Sequence, residues 1–218
     1  VDHLFEPWMT WFLLGALILV VLVRVQYPQY IQLLGYNFTN YRIAKQTFID
    51  NEYQIKPDWL FMFPVLVIGH ALFLFLFLKS SASFAIAEGV GPFLTMCFLV
   101  AMVFMLKIVA MQLVSTIGKP GNSLKVYYGN SILVSELTGS VLLLLSIAAS
   151  LSEGGPAPLL IYVGIGIYLL SYLFRLFRGV IAAIENRISL NYIILYLCTL
   201  EILPFVVLLK VFSTVYGG

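Results

Sequence analysis

The chain has 218 residues, of which 61 % are apolar and only 10 % charged, and its net charge is +2. A soluble domain carries about 25 % charged residues, and a nucleic-acid binder shows a strongly basic face, so this composition excludes both. It fits a single membrane-embedded helical domain over residues 1–218, with no room for a separate soluble one.

Six apolar blocks fill most of the sequence, at about 8–25, 59–79, 91–116, 131–151, 158–178 and 191–213. Each has roughly 18 to 26 residues, and about 20 suffice to cross about 30 Å of hydrocarbon at 1.5 Å per residue. The blocks are apolar all round, unlike a soluble surface helix. Backbone groups in lipid must bond within their own segment, which makes each block a helix. The expected fold is all-α: a bundle of six transmembrane helices plus one interfacial amphipathic helix.

The first block follows Asp2, His3 and Glu6, not the basic n-region of a signal peptide, and is expected to be retained. Residues 26–58 form the one long polar stretch. Tyr30, Leu34, Phe38, Tyr41 and Phe48 recur there at helical spacing, which predicts an amphipathic helix on the membrane surface. Its simplest role is a lid on its own bundle; docking of a partner is the sharper alternative. The second block contains Pro64, whose ring withdraws a donor from the carbonyl of Leu60. Gly118-Lys119-Pro120-Gly121 closes the third block, with glycine for a helix C-terminus and proline against continuation. Ser131 and Ser189 are expected N-caps of the fourth and sixth blocks, and Pro156 and Pro158 suit the first turn of the fifth. Pro204 sits inside the sixth and frees the carbonyl of Leu200, next to Glu201.

Orientation follows from charge. Arg24, Arg42, Lys45, Lys56, Lys119, Lys125, Arg175, Arg178 and Arg187 flank the loops after the first, third and fifth blocks, whereas Lys79 and Lys210 lie on the other side. By the positive-inside rule the first set is cytoplasmic, and both termini face outward, into the periplasm of a bacterial inner membrane. The Asn37-Phe38-Thr39 sequon is then on the wrong side for glycosylation.

Ionisable residues within spans are costly and mark either function or pairing. His70, Lys107, Glu136, Arg175 and Glu201 are the candidates. Lys107 and Glu201 both lie roughly 13 to 15 Å from the cytoplasmic ends of their blocks and form one expected pair. Glu136 with Arg175 or Arg178 forms a second. A salt bridge that fixes helix register is the simpler reading; a proton or ion path is the other. Cys198 and Glu201 share a helix face, but with His70 they make a weak case for a triad, which geometry and not inventory defines. His70 is the only histidine in a block, which excludes bis-histidine haem within one chain. Met96, Met102, Met105 and Met111 cluster in the third block, where adaptable packing outweighs copper binding. No phosphate loop, dinucleotide fingerprint or zinc motif is present, so no cofactor, catalytic residue or metal site is expected.

The phrase Tyr196-Leu197-Cys198-Thr199-Leu200-Glu201-Ile202-Leu203-Pro204, with Asn40-Tyr41-Arg42 after the first block, resembles a family of multi-pass bacterial inner-membrane proteins known only as a domain of unknown function. The resemblance covers essentially the whole chain in length and span layout. It implies a bacterial cytoplasmic membrane and no established activity.

Two functions compete. One is a non-enzymatic structural or assembly subunit of an inner-membrane complex, with membrane lipids and other integral subunits as partners and no soluble small-molecule ligand. The alternative is a small proton- or ion-coupled transporter using a buried Lys–Glu pair. A membrane-embedded enzyme acting on lipid is a distant third.

Overall fold

The computed structural model describes residues 6–28, 32, 46, 57–80, 89–118, 122–152, 156–185 and 210. Five helices make up nearly all of them: α1 (Pro7–Gln26), α2 (Pro57–Ser80), α3 (Val90–Gly118), α4 (Asn122–Leu151) and α5 (Pro156–Glu185). All five are long and apolar enough to cross a membrane. They correspond to the first five expected spans. The sixth expected span, at 191–213, and the interfacial helix expected within 26–58 lie outside the described residues, apart from isolated positions and the helix ends.

Two boundaries differ from expectation. Ser131 is not an N-cap: α4 begins at Asn122, and Ser131 is buried well inside it. Hydropathy reports where lipid would start and not where a helix does. Likewise α5 runs past Arg178 to Glu185. Pro64 lies inside α2, and the helix continues on both sides of it.

Burial ranks the helices. In their membrane-length stretches α2 is 67 % buried and α4 56 %, against 22 % for α1 and 17 % each for α3 and α5. Thus α2 is the central post. It packs against all four other helices, and α4 packs against both α2 and α5.

Two sets of side-chain contacts fix the directions of the first three helices. At the end where α1 begins, called the upper end below, Glu6 meets Lys79 of α2. Beneath them Trp8 of α1 packs its ring against Phe75 of α2 and Phe93 of α3, at 5.7 and 5.0 Å. Phe12 closes on Phe93 at 4.9 Å. At the lower end Tyr27 faces Phe61 at 6.3 Å. These three helices therefore alternate in direction, as successive spanning segments must. Gly89, just ahead of α3, has φ +116°, a backbone conformation that glycine adopts without steric cost.

Small residues bring α4 and α2 together. A Cβ added to Gly69 would run into the backbone carbonyl of Gly139, and one added to Gly139 would lie 2.9 Å from the Cα of Leu66. The two backbones touch at this level, the close approach that small residues permit between membrane helices. On the opposite helix, the ring of Phe73 occupies the notch left by Gly164 of α5.

Candidate functional site

Most buried polar residues of the described chain lie on α4: Asn130, Ser131, Ser135, Glu136, Thr138 and Ser146. A polar helix face turned into a bundle needs partners, and α4 supplies many of its own. The Ser135 hydroxyl donates to the Ser131 carbonyl at 2.8 Å, Thr138 to Val134 at 2.7 Å and Ser140 to Glu136 at 2.9 Å. Such back-bonding satisfies a hydroxyl in apolar surroundings without another chain.

His70 sits where four helices converge. Its Nδ1–H donates to the Leu66 carbonyl of its own helix at 2.8 Å. A carbonyl only accepts, so the proton is on Nδ1 and Nε2 is the accepting nitrogen of the neutral ring. The ring meets Phe104 of α3 edge-on at 5.3 Å and Tyr168 of α5 at 6.0 Å. Gly139 of α4 makes the space for it: a Cβ there would lie 3.1 Å from Nδ1. Arg175 stands near enough to act electrostatically on the imidazole.

Arg175 and Arg178 turn inward from α5, and both are buried. The Arg175 Nη1 donates to Ser135 Oγ at 2.9 Å. Each guanidinium also lies over an aromatic ring of its own helix, Arg175 over Tyr172 at 5.8 Å and Arg178 over Phe174 at 5.0 Å. Such stacking suits the weakly hydrated planar cation.

Glu136 is fully buried, with 0 % exposure. Among the described residues neither of its carboxyl oxygens has a hydrogen-bond partner. The expected pairing of Glu136 with Arg175 is not made. The arginine takes the neighbouring Ser135 instead, because successive helix residues point about 100° apart and Ser135 is the one turned to it. The structure thus places His70, Ser135 and Arg175 together, with Glu136 in the same layer but unpaired. Lys107 is half-buried in α3. Glu201 and Pro204 lie outside the described residues, and the Lys107–Glu201 pairing with them. Among the described residues no group of three or more His, Cys, Asp or Glu side chains could hold a metal ion.

A second cluster was missed by sequence reasoning. At the upper end, Glu6 accepts from Lys79 Nζ at 2.9 Å and from the Trp8 indole N–H, and the backbone of Gly89 lies close enough to favour its charge. Burial alone would push this carboxyl up. The two side-chain hydrogen bonds, the Lys79 charge and the Gly89 N–H outweigh burial and hold it below its ordinary 4.5. One signal was available: Glu6 and Lys79 flank the same end of consecutive antiparallel spans.

The model of a family described as a domain of unknown function, DUF4271, matches residues 9–212. The chain belongs to the DUF4271 family. No curated protein and no solved structure matches it. The polar seam of this DUF4271 chain is therefore read on its own chemistry. Among the described residues it holds one buried carboxyl without a partner, one imidazole bonded through Nδ1 to its own helix and one arginine anchored on a serine.

Proposed function

We infer that this DUF4271 chain is a non-enzymatic structural or assembly subunit of a bacterial inner-membrane complex. The observation that carries the reading is the contrast between its interior and its outer faces. The described buried polar side chains gather along α4 and its contacts with α2 and α5, while α1, α3 and α5 turn apolar stripes outward. Trp11, Leu14, Ile18, Val21 and Val25 form one stripe; Leu94, Phe98, Met102, Met105 and Val109 form another; Tyr162, Leu169, Leu170, Leu173 and Phe177 lie on the third. Membrane helices associate through close packing of such faces. Lipid covers whatever other subunits leave open.

The same geometry supports the orientation with both termini in the periplasm. The Glu6 carboxylate neutralises Lys79 on the upper side, whereas exposed Arg24 marks the lower end of α1. The remaining lysine and arginine excess then belongs to the cytoplasmic side.

Extraction from native membranes in mild detergent, followed by mass analysis, tests the reading. Stoichiometric co-purification of other integral membrane chains is the expected result, and a crosslinker placed at Phe98 or Phe177 should capture them. Recovery as a single species, with proton flux in liposomes that Glu136→Gln abolishes, would replace the subunit with a proton-coupled carrier. A reporter active only in the cytoplasm, fused after Gly218, should be silent.

A further inference from the structure

Glu136 combines three observations that belong together. It is completely buried, its two carboxyl oxygens make no hydrogen bond, and the Arg175 guanidinium in its layer is anchored on Ser135. The Ser140 hydroxyl, one turn further along, serves the Glu136 main-chain carbonyl and not its carboxyl. Among the described residues an ionised carboxylate in this place would have neither a direct ion pair nor a hydrogen bond, and the membrane interior penalises such a group heavily. A neutral acid avoids the charge penalty.

We propose that Glu136 is a proton-binding site: a carboxylic acid that keeps its proton in the seam between α2, α4 and α5. The ligand is a proton and not a metal cation, because among the described residues no second carboxylate faces the seam and no group of three or more His, Cys, Asp or Glu could hold a metal. From α2 comes His70, lying against Gly139 one turn along α4 from Glu136. From α5 come Arg175 and Arg178, with the phenols of Tyr168 and Tyr172. A metal cation needs several oxygen ligands at once, whereas a proton needs one carboxyl oxygen. His70, with Nε2 as acceptor, is the next group along the seam able to take a proton. The proposal does not rest on the subunit reading, since a subunit and a carrier could each hold such a group.

Dicyclohexylcarbodiimide tests it, because this apolar reagent adds to protonated carboxyls in apolar surroundings. The purified full chain in mild detergent is treated across a pH series and the adduct is located by peptide mass analysis. Glu136 should be labelled at neutral pH at least about tenfold more than Glu6, since an ion-paired surface carboxyl is almost wholly ionised there. Labelling should fall as pH rises and should not respond to added sodium. Glu136→Gln, a neutral isostere of the protonated acid, should fold with unchanged thermal stability, and the infrared band of a protonated carboxyl should be present in the wild type and absent in this variant. Protection by sodium would make the site a cation site and overturn the proposal. So would a folded wild type whose Glu136 takes no label, an infrared spectrum showing Glu136 as carboxylate, or a Glu136→Gln chain that no longer folds.

Discussion

Two carboxylates of this chain meet opposite fates. Glu6, at the upper end, accepts from an ammonium and an indole. Glu136, in the seam, has a guanidinium in its own layer and receives nothing. The side chains of Glu6 and Lys79 keep 16 % and 15 % of their surface open, enough for water to assist the charges. Glu136 keeps none. Opposite charges at equal depth therefore do not suffice for an ion pair. The helix rotation must also aim them at each other, and α4 aims Ser135 at the arginine.

The contrast can be broken at three points. The largest effect is expected where the seam is built, at Gly69 and Gly139. Gly69→Val would drive a side chain into the Gly139 backbone, which cannot yield as a flexible side chain would. We expect a loss above about 3 kcal/mol, beyond ordinary overpacking, read as aggregation or a collapsed melting transition in detergent. An unchanged melting curve would mean that α2 and α4 do not meet here.

An intermediate effect is expected at Ser135→Ala, which removes the only side-chain acceptor of the Arg175 guanidinium among the described residues. Leaving that buried cation without its bond should cost about 1–3 kcal/mol. Combination with Arg175→Met should recover much of the loss, and simple additivity would refute the contact.

The smallest effect belongs to the upper pair. Lys79→Met should cost no more than about 1 kcal/mol, as for exposed ion pairs generally. Its signature is in pH. The folded-state value of Glu6 is depressed, so its stabilising contribution is fully present above the ordinary 4.5 and is lost as pH falls through the lower folded value. Melting temperature followed into the acid range should show that loss in the wild type and a weaker one in Lys79→Met. Identical acid profiles would remove Lys79 as the cause.

These contacts show what could be read in the residues alone. Five spans were legible because hydropathy over some twenty residues is a strong signal, and it erred where α4 and α5 continue as helices beyond the apolar stretch. His70, Glu136 and Arg175 were legible as expensive buried groups. Their partners were not, because depth along a helix follows from counting while rotation about its axis is settled by packing at Gly69, Gly139 and Gly164. The Glu6–Lys79 pair spans 73 positions and carries no local signal in either residue.

The central place of α2 also sets an order of assembly. It is synthesised before α3, α4 and α5, yet it is the one around which the other described helices close. Until α3, α4 and α5 arrive, the imidazole of His70 has neither Phe104, Gly139 nor Tyr168 beside it. Its bond to the Leu66 carbonyl needs none of them, for it lies wholly within α2. The nascent helix can thus wait in the lipid with its mid-helix imidazole already quieted, and the late helices complete a centre that the early one carries in with it.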